Sequence, residues 1–327
     1  MAEPDTETNQ ARPVGDDQSQ KVVDRFVFAA LREQTRARRW RIGFTLFFIA
    51  YLIFVTVALM TAGDDGFGIG GEPDGKKHTA VVKLSGLIAS GENAGSEKMI
   101  TGIRKAFEHE DTAGIVLEIN SPGGSPVQSA YIFDEIMRLK QKHDSIPLYA
   151  VVTDIAASGG YFVASAADKI YVNKSSLVGS IGVRLDAFGF VDLMQKLGIE
   201  RRLLTAGENK GLFDPFLPEQ EAQKEHLQSM LDQVHGHFID AVKQGRGDRL
   251  DQSQDIFSGL IWSGEQSLEL GLADAYGSTR SVARELQAEE LVDFTPQTGL
   301  LERIADRIGS SAGRSVSQYL LGDYSIN

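Results

Sequence analysis

From Thr79 to Val172 the chain alternates short apolar runs with amphipathic or small-residue stretches, and this alternation constrains the fold most. Thr79–Leu84 (TAVVKL), Gly114–Ile119 (GIVLEI), Leu148–Val152 (LYAVV) and Lys169–Val172 (KIYV) have the length and β-branched content of strands. Glu97–His109, Gln128–Lys142 and the small-residue run Gly159–Ala167 read as the helices between them. Strand and helix in strict turn imply parallel strands with helical crossovers, an α/β fold. A long helix is expected from Pro218 to about Gln244, a strand–helix segment over Asp255–Leu272, and another over Phe190–Leu204. No internal repeat is visible, so one domain over residues 79–290 is the simplest division, with 291–327 a polar C-terminal extension.

Ahead of this domain lies Ile42–Ala62, 21 residues without a charge, long enough to cross a bilayer as a helix. Arg32, Arg36, Arg38, Arg39 and Arg41 precede it, and Asp64 and Asp65 follow. That asymmetry keeps residues 1–41, whose first twenty are polar and disordered in composition, in the cytoplasm, with the rest across the membrane. A cleaved signal peptide would have a shorter apolar core nearer Met1, and a buried core helix would show a polar face. Residues 63–78 form a Gly/Asp-rich linker. Its Gly66-x-Gly68-x-x-Gly71 matches a dinucleotide fingerprint in letters only, with no strand before it and no helix after it.

A formal charge of −12 disfavours nucleic acid as a partner. The absence of cysteine excludes thiolate catalysis, disulfides and Cys-ligated zinc. No metal or organic cofactor is expected. His235-x-His237 lacks partner ligands at helical spacing, and most of the six histidines sit in polar, helix-like or linker context, which points to solvated surface.

Three stretches at strand ends can carry chemistry: Asn120-Ser-Pro-Gly-Gly-Ser125, Ala156-Ala-Ser158-Gly-Gly160 and Leu177-Val-Gly-Ser180-Ile-Gly-Val183. Ser158 falls where a strand gives way to a helix, beside free N–H groups and the positive helix end. It is a candidate nucleophile, although an N-cap serine before a tightly packed helix would look the same. Gly123 and Gly124 can turn N–H groups into open space as half of an oxyanion hole, with the Gly159 N–H as the other half. Pro-Gly-Gly can equally be only a turn. With no histidine in a glycine-rich strand-end loop, lysine is the alternative base, provided that burial leaves it neutral. Lys210, flanked by Leu212, Phe213 and Phe216, could occupy such a pocket, but most loop lysines are solvated.

These stretches resemble the signal peptide peptidase A family, membrane-bound Ser–Lys serine proteases on a ClpP/crotonase-like fold of repeated β-β-α units. The resemblance runs from about Thr79 to Ser278. Asn120–Ser125 is similar to its oxyanion loop, Ala157-Ser158-Gly159-Gly160-Tyr161 to its nucleophile motif, and Gly179–Val183 to the stretch whose serine bonds the catalytic lysine. In the short members the base follows the nucleophile by about fifty residues, and Lys210 fits that spacing. The resemblance implies Ser158 as nucleophile, Lys210 as general base, Ser180 orienting Lys210, and Gly123, Gly124 and Gly159 around the oxyanion. It further implies peptide substrates, such as cleaved signal peptides or unfolded membrane-proximal segments. A ring-like homo-oligomer with sites shared between subunits is also implied, on the periplasmic side of the inner membrane. An acyl-CoA enzyme with the same oxyanion geometry and an idle membrane scaffold of the same fold are the rival readings.

Overall fold

The computed structural model describes residues 40–55, 75–251 and 255–296. The chain divides into two compact units, Met1–Ile69 and Gly70–Asn327. In the first, residues 40–55 form one helix (α1) whose Trp40, Phe44, Phe47, Phe48 and Phe54 are exposed. Among the described residues no helix is long and apolar enough to cross a membrane, and positions 56–62 of the expected span lie outside them. The tail of residues 1–39 and the glycine fingerprint within 63–74 also lie outside.

The second unit begins with β1 (His78–Ser85), α2 (Ser96–Glu108), β2 (Thr112–Ser121), α3 (Pro126–Lys142), β3 (Leu148–Ala157), α4 (Gly159–Ala164), β4 (Lys169–Val172) and β5 (Leu177–Gly179). It continues with α5 (Val191–Leu197), α6 (Glu221–Arg246), β6 (Ile261–Ser263), α7 (Gly264–Glu269), β7 (Ala275–Tyr276), α8 (Thr279–Glu285) and β8 (Leu291–Asp293). Among the described residues eight strands form one sheet in the order β6-β5-β3-β2-β1-β8, with β4 also beside β3 and β7 beside β4. Every pairing is parallel except β5 with β6. This arrangement fits a ClpP-like α/β fold.

The central strands are apolar at nearly every position because both faces are covered. Alternate residues divide the two faces. Ala80, Val82, Leu84, Ile115, Leu117 and Ile119 join the main core with Met99 and Ile103 of α2 and Ile132 and Ile136 of α3. Val116, Val151 and Tyr171 point the other way, onto Val282 of α8. α3 starts two residues before its expected boundary, since Pro126 sits at its first position and the Ser125 side chain caps it by accepting from the Gln128 N–H.

β3 positions the site. Its first half pairs with β4 and its second half with β5. Against β2 the register breaks: Ile119 faces Val152, but Ser121 faces Ala156. Thr153, Asp154 and Ile155 stand opposite Asn120 alone, and the two extra residues redirect the end of β3, as an insertion in one strand does.

Three expectations need correction. Phe190–Leu204 holds α5 but no strand. β7 and α8 fall inside the expected domain, but β8, at the start of the expected extension 291–327, pairs with β1 and so belongs to the sheet. Nor are the histidines uniformly solvated. His78 is fully buried against His109 and Phe294, and His143 packs on Phe107.

Candidate active site

Ser158 follows the last residue of β3 and precedes the first of α4, with φ 51° and ψ −125°. A residue with a Cβ rarely adopts positive φ, at a cost of about 1–3 kcal/mol, so the surroundings must hold it there. The Ser158 N–H donates to the Gly179 carbonyl at 2.8 Å, and the Ser158 carbonyl accepts from Phe162 N–H at 2.9 Å. The next two residues must be glycine for space. A Cβ on Gly159 would collide with Ser129 Oγ, and one on Gly160 would stand 2.6 Å from the Ser121 carbonyl oxygen.

The turn Pro122–Gly124 lies directly against this junction. Gly123 (φ 105°) and Gly124 (φ 152°) both occupy backbone space reserved for glycine. A Cβ on Gly123 would meet Gly159 N at 2.7 Å and Ser158 Cβ at 2.8 Å. The Gly123 carbonyl accepts from Ile88 N–H at 2.9 Å, and its own N–H donates to Ser121 Oγ at 3.2 Å. The N–H groups of Gly124 and Gly159 find no acceptor among the described residues. Of the two turn glycines, Gly124 therefore has the free donor.

Ser180 follows β5, also at positive φ (52°), with its N–H bonded to the Leu260 carbonyl at 2.7 Å. Ser158, Ser180, Gly123, Gly124 and Gly159 line one cavity of about 900 Å³, with Leu87, Val127, Phe162 and Phe238 among its apolar walls. Five of the six expected site residues are thus brought together.

Lys210 is not among them. It is exposed in a turn between α5 and α6, its N–H bonded to the Gly207 carbonyl at 3.2 Å, and it does not line the Ser158 cavity. Among the described residues nothing encloses it as the expected dehydrating pocket would, and Phe213 and Phe216 beside it are themselves exposed. The surrounding segment displays Phe188, Leu193, Leu197, Ile199 and Leu204 to solvent, and none of the residues of α5 is buried.

Sequence reasoning missed α6 as a wall of the site. His237 lines the cavity beside Val234 and Phe238, and His235 Nε2 lies 3.0 Å from the Ile181 carbonyl oxygen. The spacing of Phe238, Ala241 and Val242, all buried, is the signal that could have placed this face of α6 against the domain. Among the described residues no group of His, Asp and Glu could hold a metal ion.

Residues 140–293 match the family model of peptidase family S49. The chain is 40% identical over 240 residues to a protein named Na(+)/H(+) antiporter NhaA from Brucella abortus, covering 71% of this chain but only 32% of that protein. It is 30% identical to an Enterococcus faecium relative named for signal peptide peptidase SppA, over 68% of this chain and 67% of that one. A relative from Methanocaldococcus jannaschii, named as a protease, is 32% identical over 68% of this chain and 73% of its own. With the nucleophile junction and the glycine turn in the same cavity, these likenesses agree with the motifs, and the chain belongs to peptidase family S49, the signal peptide peptidase A family of serine peptidases.

Proposed function

We propose that the chain is a membrane-anchored serine endopeptidase in which Ser158 is the nucleophile and Lys210 of a neighbouring copy is the general base. The observation that carries this reading is the placement of Ser158 at positive φ beside two unengaged donors, Gly124 N–H and Gly159 N–H. Lys210 Nζ takes the proton from Ser158 Oγ, which attacks the peptide carbonyl carbon. The developing oxyanion accepts from Gly124 and Gly159, donors already fixed before the reaction. The amine leaves with the proton held by Lys210, and water then cleaves the ester. Ser180, in the same cavity, orients the lysine.

A shared site is favoured because Lys210 stands away from the cavity of its own chain, on a segment with large exposed apolar residues. Leu204 is 98% and Phe188 78% exposed, and a patch of this kind calls for a partner surface. A head-to-tail ring would cover it and carry each lysine to the next serine. The apolar cavity walls suit extended apolar peptides, among them cleaved signal peptides or unfolded segments near the membrane. Residues 42–62 are the anchor, with the N-terminus cytoplasmic and the peptidase domain periplasmic, on the strength of the charge asymmetry.

A fluorophosphonate probe on the full-length protein in detergent tests this reading. The wild type should label on Ser158 and hydrolyse an apolar peptide, while Ser158→Ala should do neither. A wild type that neither labels nor hydrolyses would favour the acyl-CoA or scaffold alternatives.

A further inference from the structure

Gly123 and Gly124 are adjacent glycines at positive φ, so little in their own covalent structure fixes which N–H faces the cavity. The orientation is fixed from outside, by a closed circuit of hydrogen bonds. Gly86 N–H donates to the Asn120 carbonyl at 2.9 Å, and Ser121 Oγ donates to the Gly86 carbonyl at 2.6 Å. Gly123 N–H donates to Ser121 Oγ at 3.2 Å. The Gly123 carbonyl accepts from Ile88 N–H at 2.9 Å, and the Ile88 carbonyl accepts from Ser125 N–H at 2.7 Å. Ser121 is completely buried, and its hydroxyl uses its one proton and a lone pair in this circuit.

We infer that the Ser121 hydroxyl is a positioning residue for catalysis, pinning Gly123 so that the Gly124 N–H is the one presented to the oxyanion; this rests on the peptidase reading above. Without the hydroxyl, the Gly123 N–H becomes a buried donor with no acceptor. The turn can relieve this only by rotating its peptide planes, which two glycines permit cheaply. The Gly124 N–H shares a peptide plane with the Gly123 carbonyl, so it goes out of line as the rotation pulls that carbonyl from Ile88 N–H. The same circuit holds Ile88, so the loop bearing Leu87, a wall of the cavity, is fixed with it.

The test uses full-length protein, a chromogenic apolar peptide and a peptide boronate, which forms a tetrahedral adduct on serine. Ser121→Ala should lower kcat by roughly 10- to 100-fold, somewhat less than outright loss of an oxyanion donor. KM should stay within about threefold, since the substrate carbonyl bonds the hole weakly before reaction. Boronate affinity should fall by the same factor as kcat. Ser121→Cys keeps the shape with a somewhat larger, weakly hydrogen-bonding sulfur, and should follow Ser121→Ala.

A kcat for Ser121→Ala within about twofold of wild type would overturn the inference. So would a kcat loss with boronate affinity unchanged. Should both variants fail to fold, hydrogen exchange on the wild type, read at single amides, carries the test. Gly123 should be protected in the free enzyme, and Gly124 should become protected only with boronate bound; the reverse pattern refutes the clamp. A wild type that does not turn over or label at Ser158 would instead refute the peptidase reading. Exchange at Gly123 in the free protein would still report on the pin.

Discussion

The amide of Ser158 donates to the carbonyl of Gly179 at 2.8 Å, so the candidate nucleophile and the strand leading to Ser180 share a hydrogen bond. Each serine carries a positive φ, 51° and 52°, and each has its N–H tied to a neighbouring carbonyl, Gly179 for one and Leu260 for the other. A conformation costing about 1–3 kcal/mol persists only where its surroundings leave no alternative. The space between them is already filled, since a Cβ on Gly179 would press the Trp262 side chain at Cδ1 (2.9 Å) and the Leu260 carbonyl oxygen (3.1 Å).

The same closeness predicts the effect of the smallest possible change beside Ser158. Gly160→Ala would place a methyl 2.6 Å from the Ser121 carbonyl oxygen, pushing α4 off the end of β2. Overpacking of this kind costs about 1–3 kcal/mol, and urea unfolding should show it together with loss of probe labelling at Ser158. Gly236→Ala is the contrast. That glycine lies inside α6 with nothing within 4 Å of its would-be Cβ, so alanine should stabilise by about 0.5–1 kcal/mol through helix propensity.

Arg246 predicts a larger loss from an apparently modest change. Its side chain is wholly buried, with Nη1 and Nη2 on the Asp274 carboxylate at 2.7 and 3.0 Å and two further bonds to the Gly271 carbonyl. Burial alone would push the Asp274 carboxyl up, but the hydrogen bonds and charge of Arg246 hold it below its ordinary value. Asp274→Asn leaves the buried guanidinium without its counter-charge and should cost about 3–5 kcal/mol. Arg246→Met with Asp274→Leu together should cost less than Asp274→Asn alone, which a set of urea melts would check.

How much of this was legible in the sequence follows from how local each signal is. β1 to β4 and their crossovers were readable because buried parallel strands are written as continuous runs such as GIVLEI. The three motifs were readable because glycine needs leave letters behind: Gly123, Gly124, Gly159 and Gly160 all answer to close contacts in the structure. The strands β7 and β8, of two and three residues, are too short to show a period, and only tertiary pairing makes them strands. α6 as a wall of the site was hidden because its polar stretch reads as a solvated helix, though His237 lines the cavity. The position of Lys210 could not come from local pattern at all. The expectation of a shared site came from the family likeness, and the exposed lysine within a single chain is what such a site would require.

Acid should weaken the contact between α2 and α3. Glu135 on α3 accepts from Arg138 at 2.7 and 2.9 Å and from Arg104 of α2 at 2.6 Å. The hydrogen bonds from Arg138 first, then Arg104, pull its carboxyl down from 4.5 to about 2. A folded-state value below the unfolded one means that the stabilisation is complete above pH 4.5 and disappears as pH falls through about 2. The stability difference between wild type and Glu135→Gln should therefore be widest near neutrality and shrink between those two values. Urea unfolding at several pH values would measure it, and a difference that did not vary with pH would refute the linkage.

The shared site makes the most demanding prediction. Ser158→Ala and Lys210→Ala chains should each be inactive alone. If Lys210 serves the Ser158 of the next chain, a co-expressed mixture regains whole sites wherever an intact serine meets an intact lysine across an interface. Random head-to-tail mixing of equal amounts puts about one site in four in that state, so activity should recover to about a quarter of wild type. If both residues came from one chain, no mixed site would be whole and activity would stay at background. Two affinity tags, one per variant, establish that mixed oligomers have formed before activity is read. Replacing Leu204, 98% exposed, together with Phe188, 78% exposed, by serine should leave each domain folded, since neither is part of its core. If the apolar segment is the contact that delivers Lys210, that double variant should fall apart on gel filtration and lose turnover. Ser158 itself would remain in its strained conformation.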